Sequence, residues 1–138
     1  MPAATVIPVL HYPDVAVAAT WLCRAFGFTE RLRVGSHRVQ LSVGRGAVVV
    51  AHGASAVADT QPAAHSVMVR VLNVNQHVER ARNAGAKILA EPASFPYGER
   101  QYSAVDLAGH VWTFSQSESS VDPGDWGGQL VQGNENAA

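Results

Sequence analysis

Histidines at 11, 37, 52, 65, 77 and 110, a single cysteine, and the segment Tyr97-Gly98-Glu99-Arg100-Gln101-Tyr102 hold the side chains with the most chemical potential in this chain. Arg100 brings a planar fork of five donors suited to a carboxylate or phosphate. Tyr102, two positions further along one strand face, offers an aromatic wall beside it, with Tyr97 and Glu99 at the entry to the same strand. The plainer alternative is that Arg100 pairs with Asp106 or Glu99 and Tyr102 simply packs. His52 and Glu99 are the groups suited to proton transfer. Nucleophilic catalysis has little to work with: the chain has no Gly-x-Ser-x-Gly elbow and no phosphate-cradling glycine loop. Cys23, between Leu22 and Arg24, reads as a small apolar helix residue and has no second cysteine to pair with.

These residues must be positioned by a hairpin that the chain contains twice. Pro96 to Phe114 reads as turn, strand, tight Asp106-x-x-Gly109 turn and strand. Slid back along the chain, it falls on His37 to Ala51, with Gly109 on Gly46 and Thr113 on Val50. Two further matching pieces lie upstream, each an apolar run followed by an amphipathic helix that stops at glycine, Gly27 or Gly85. In the first, Asp14 is placed to cap the helix and Val15, Ala18, Ala19, Leu22 and Phe26 form its buried face. In the second, Asn73 with Gln76 forms a loose capping box ahead of Val74, Val78, Ala81 and Ala84.

Each copy therefore reads strand, helix, three strands. Module one is expected over about 5–52, a linker over 53–64, module two over about 65–116 and a tail over 117–138. Ser66 to Val71 reads as a well-buried strand, Lys87 to Ala90 as the next strand, and Pro92 to Pro96 as a loop. Trp112 and Phe114 alternate with Thr113 and belong under a helix. Trp126 in the tail needs a surface to cover.

A chain of 138 residues, 47% hydrophobic and 15% charged, can bury one substantial core. Its net charge of −1, with arginines scattered through both halves, argues against nucleic acid as a partner. No apolar run approaches a membrane span, and Met1-Pro2-Ala3-Ala4 does not open like a signal peptide, so a cytoplasmic protein without a membrane partner is expected.

The opening Pro-x-Leu-x-Tyr-Pro-Asp segment, Arg24-Ala25-Phe26-Gly27-Phe28, Ala84-Gly85-Ala86 and the long Pro96 to Phe114 motif together resemble the vicinal oxygen chelate superfamily. That superfamily includes glyoxalase I, extradiol dioxygenases, fosfomycin-resistance and bleomycin-resistance proteins. The likeness spans Ile7 to Phe114 and is greatest to small glyoxalase-like and bleomycin-resistance-like members. It implies an α+β fold of two βαβββ modules whose curved mixed sheets form a concave cleft. In some members one chain supplies both halves of a cleft, and in others two subunits pair.

The resemblance also implies where a divalent metal would bind: one inward position on the first and last strand of each module. Carried over, these are about Ile7, Val50, Ser66 and Thr113, none a usual metal ligand. No cofactor is therefore expected, with a divalent metal as the alternative. A displaced set of His52, His65 and Glu99 requires an irregular strand, because His65 points away from the face of Ser66.

Three functions follow. The first is a small-molecule binder, holding an aromatic or charged ligand in the inter-module cleft with Arg100, Tyr102, Tyr97, His52, Glu99 and Trp21 as the candidate contacts; Trp21 alternatively covers a dimer seam. The second is a metal-dependent lyase, isomerase or dioxygenase with displaced ligands. The third is a scaffold or interaction module. Whether the chain is an enzyme stays open at this point. A homodimer is expected, since pairing modules between chains hides the edges of curved sheets.

Overall fold

The structure is a computed structural model that describes residues 3–54 and 64–131; most of the expected linker and the end of the tail lie outside the described residues. Two copies of one unit follow each other, an α+β arrangement of two βαβββ modules. The first contains β1 (Val9–Tyr12), α1 (Val15–Phe26), β2 (Thr29–Val34), β3 (Arg38–Val43) and β4 (Gly46–His52). The second contains β5 (Val67–Arg70), α2 (Val74–Asn83), β6 (Lys87–Ser94), β7 (Glu99–Val105) and β8 (Val111–Ser117). A short 3-10 turn over Pro123–Trp126 follows. The sheets have matching orders, β1-β4-β3-β2 and β5-β8-β7-β6, each with one parallel pair formed by its first and last strands.

Local chemistry sets the helix ends as the sequence indicates. The Asp14 carboxylate accepts from the Val17 N–H, and the Asn73 side chain accepts from the Gln76 N–H, each satisfying an orphan donor of a first turn. Helix α1 stops at Gly27, whose φ of 79° lies in the left-handed region that disfavours a side chain.

Strand limits differ from expectation in two places. Strand β5 is a half-exposed edge rather than a buried run, with Met68 and Arg70 turned to solvent. Strand β6 runs on through Pro92 to Ser94, where a loop was expected. It is an edge strand whose register against β7 shifts twice, and such an edge tolerates a proline.

The two sheets share one core. Leu10, Tyr12, Val39, Leu41, Val48 and Val50 cover one face of the first sheet, and Tyr102, Ala104, Trp112 and Phe114 one face of the second; all join α1 and α2 in a single cluster. Phe26 sits at its centre, against Phe114 at a ring distance of 4.8 Å and Trp112 at 5.6 Å. The expectation for Trp112 and Phe114, buried under helices and opposite to Thr113, matches this placement.

Polar groups tie the same seam. The Asp106 carboxylate accepts from the Tyr12 hydroxyl at 2.6 Å, Trp112 Nε1 at 3.0 Å, and the Ala108 and His110 N–H groups at 2.9 and 3.0 Å. His110 Nε2 donates to the His11 carbonyl. Arg80 of α2 donates to the carbonyls of Cys23 and Arg24, serving the open end of α1.

His77 wedges between Phe26 and Phe114. A carbonyl can only accept, so Nε2 carries the proton donated to Phe26, and Nδ1 accepts from the Tyr102 hydroxyl. Burial, and then the Arg80 charge, hold the His77 imidazole below its ordinary 6.5, despite the opposing effect of the bond to Phe26. Burial raises the Tyr102 hydroxyl far above its ordinary 10.0; burial and the Asp106 charge do the same to Tyr12.

The signs give a stability plateau. Below about pH 6.5 the unfolded chain takes up a proton at His77 that the folded chain resists, so stability falls as pH drops through that value. Above about pH 10.0 the unfolded tyrosines ionise while the folded ones do not, so stability falls again. Urea unfolding across pH is expected to show the plateau, and His77→Gln to flatten the slope just below pH 6.5; an unchanged slope there would remove His77 as its source.

Candidate functional site

With the helix-side faces packed together, the other face of each sheet carries no helix and is termed the open face, although Gln40, Ala47, Val49 and Ala51 are buried at the centre of the first one. The strand register assigns the open faces residue by residue. In the first sheet, Val49 pairs with Val9 and Gln40, and all three lie opposite to the core positions Leu10, Val39 and Val50. In the second, Thr113 pairs with Met68 and Ser103, opposite to Trp112 and Phe114. Val49 is thus the counterpart of Thr113.

Val50 is therefore a correction to the sequence reading: it is 0% exposed, within the core. The cause is one residue in a turn. Val43 pairs directly with Gly46, closing a two-residue turn, whereas Asp106 closes on His110 around three residues. An ungapped overlay matches β3 with β7 but slips β4 by one position against β8, which in a strand exchanges the faces.

His52 fails for the same reason. It shares the side of Val50, sits exposed at the end of β4, and its N–H donates to the His37 carbonyl. Arg100 and Tyr102 share a face as expected, but it is the helix-side face. Tyr102 is 1% exposed and packs on Phe114, and Arg100 donates to Asn75 Oδ1 and Ser94 Oγ rather than to Asp106 or Glu99. Trp21 lies away from both open faces, on the outer side of α1 in a shallow hollow with Ala16, Val17, Thr20 and Arg24; its Nε1 donates to the Ala84 carbonyl.

Tyr97 and Glu99 remain, and the structure joins them to residues that the sequence reading missed. Arg70 Nη1 lies 3.2 Å from Glu99 Oε1, which also accepts from Ser115 Oγ at 2.8 Å. Ser115 Oγ accepts in turn from Gln101 Nε2, and Gln101 Oε1 accepts from the Tyr97 hydroxyl. Ser103 and Thr113 bond to each other on the same face. One hydrogen-bonded chain thus crosses the open face from Arg70 on β5 to the turn before β7.

At that turn three aromatic rings meet. Phe95 stacks on Tyr97 at 5.4 Å, and Trp126 meets Tyr97 edge-on at 5.5 Å. The tail is held there by its backbone: Glu118 and Ser119 N–H both donate to the Gly98 carbonyl. Gly98, at φ 83°, permits this approach, since a Cβ would lie 2.2 Å from the Ser119 carbonyl oxygen. Across the face, Met68 and Arg70 form one wall of a hollow of about 550 Å³ that reaches Val6, Pro8 and Arg45.

The family model for the Glyoxalase/Bleomycin resistance protein/Dioxygenase superfamily matches residues 6–114. The chain belongs to that superfamily. Among solved structures it is similar to TioX from Micromonospora sp. ML1, at 33% identity and a TM-score of 0.69, over 83% of this chain and 99% of that one. It shares its fold with the hypothetical protein SA1046 from S. aureus, at 21% identity and a TM-score of 0.64, over 84% and 94% of the two chains. It also shares its fold with a mutant of the fosfomycin resistance protein FosX from Listeria monocytogenes, complexed with Mn(II) and a dihydroxypropylphosphonic acid. That match has 15% identity and a TM-score of 0.69, over 86% and 93%. No curated protein sequence matches the chain.

The donors here do not suit the divalent ion that many superfamily members are expected to hold. The register-corrected positions Ile7, Val49, Ser66 and Thr113 supply two aliphatic side chains and two hydroxyls. Among the described residues, no group of three or more His, Cys, Asp or Glu side chains comes together, so His52, His65 and Glu99 do not form the displaced set.

Proposed function

We propose that this superfamily member is a small-molecule-binding protein without a catalytic metal, which holds an aromatic or charged ligand against the open face of its second sheet. The observation that carries the reading is the continuous chain Arg70, Glu99, Ser115, Gln101, Tyr97, ending at the Phe95, Tyr97 and Trp126 rings. A few placed polar groups beside aromatic walls is the usual composition of a ligand pocket.

One chain supplies only half of a cleft in this reading. Because the helix-side faces are joined in one core, the two open faces of a chain cannot close on each other. A homodimer in which the first sheet of one copy covers the second sheet of the other supplies the missing wall. The exposed Val9, Leu32, Val34 and Met68 on the open faces favour such a covering.

Elemental analysis of protein purified without a histidine tag, then incubated with zinc, nickel, manganese or iron(II) and dialysed, tests the metal-free reading, and light scattering tests the assembly. A dimer mass at micromolar concentration with no stoichiometric ion is expected. One retained ion per chain moves a metal-dependent reaction to the front, and a monomer mass removes the second copy.

A further inference from the structure

Resting on that binding reading, we infer that the ligand of the open face is a planar aromatic acid, its ring set among Phe95, Tyr97 and Trp126 and its anionic group received by Arg70. Charge is the first observation. Of the strand residues that the register places on the two open faces, Arg38, Arg70 and Lys87 are basic and Glu99 alone is acidic. Glu99 already accepts from Arg70 and Ser115, with its side chain only 18% exposed. A cationic ligand would meet arginines on both walls and a carboxylate that is already engaged.

Arg70 is built differently. Its side chain is 67% exposed, and the contact to Glu99 uses Nη1, leaving other N–H donors of the fork for a second anion. Glu99, itself fixed by the Ser115 hydroxyl, holds the guanidinium on the open face, next to Met68 and the hollow that reaches Arg45.

The rings are the second observation. Trp126 is 42% and Phe95 39% exposed, although each touches Tyr97. The turn carrying Trp126 is ordered for that position by the Asp122 side chain on the Gly124 N–H, and by the Glu118 and Ser119 bonds to Gly98. Rings so fixed and still half open present flat surface at little ordering cost. The relay through Gln101 and Ser115 joins the aromatic end to the guanidinium end, giving one site with two chemically distinct ends.

The test is calorimetric titration of the intact protein with 2-naphthoate, its neutral isostere 2-naphthamide and the 2-naphthylmethylammonium cation. Naphthoate is expected to bind about ten-fold or more tightly than the amide, and the cation most weakly. Arg70→Gln abolishes the preference for the acid and leaves the amide unchanged. Trp126→Ala weakens acid and amide alike, and Arg100→Ala changes neither. Equal binding of acid and amide, or a preference that survives Arg70→Gln, overturns the anion assignment while the binding reading stands. An unchanged affinity in Trp126→Ala overturns the aromatic end. No binding of any of the three probes overturns both the inference and the reading beneath it.

Discussion

Replacement of Asp106 by alanine is expected to cost at least about 3 kcal/mol of folding stability, read as a large fall in the urea midpoint. The carboxylate satisfies four donors at once, two of them side chains, one from each module. Removing it strands the Tyr12 hydroxyl and the Trp112 indole N–H, both at 0% exposure, and releases the N–H groups that shape the turn before β8. A hydrogen bond to a charged group contributes roughly 1.5–3 kcal/mol, and a stranded buried donor adds its own desolvation penalty. Tyr12→Phe removes one of the four bonds and should cost less, within that single-bond range. Equal midpoints for Asp106→Ala and the parent protein would show that the turn rearranges to satisfy its donors without the carboxylate.

Phe26→Ala is expected to cost about 3–5 kcal/mol, the range for an aromatic residue deleted from a core. Phe26 touches Trp21, Phe28, His77, Trp112 and Phe114, so its neighbours come from both helices and from the second sheet. Because these contacts surround it, little can collapse into the space left behind. Phe28→Ala is the control, since Phe28 makes ring contacts only to Phe26 and Trp112 among the described residues and should cost less. Comparable losses for the two variants would show that the core closes around the missing Phe26 ring.

Much of this fold was legible in the sequence, because it is written as periodicity and caps. The repeated strand, helix and hairpin pattern, the Asp14 and Asn73 caps and the inward Trp112 and Phe114 all depend on neighbours within a few positions. The site was harder to see. Whether Arg100 or Arg70 meets a ligand depends on which sheet face the helices cover, and strand alternation alone defines two faces without saying which is open. The Val50 assignment failed on one turn residue, since an overlay anchored on Gly46 and Gly109 carries no gap. A signal for Arg70 was present: Met68 and Arg70 alternate with Val67 and Val69, the mark of a half-exposed strand, inside what reads as a continuous apolar run. Nothing local links Trp126 to Tyr97, whose meeting depends on the tail turning back along the Gly98 carbonyl.

The core shared by the two modules bears on the history of the chain. A duplicated sequence can persist as two folding units joined by a tether, each retaining its own interior, or it can merge. Here the first repeat contributes Phe26 to the ring cluster of the second, and the second contributes Asp106 to the Tyr12 hydroxyl of the first. Each repeat keeps part of the other's interior, so separating them would expose apolar rings and strip the Tyr12 hydroxyl of its carboxylate acceptor on the cut surfaces. The ancestral symmetry survives in the backbone path and has been lost from the energetics: the molecule is two copies in descent and a single cooperative unit in thermodynamics.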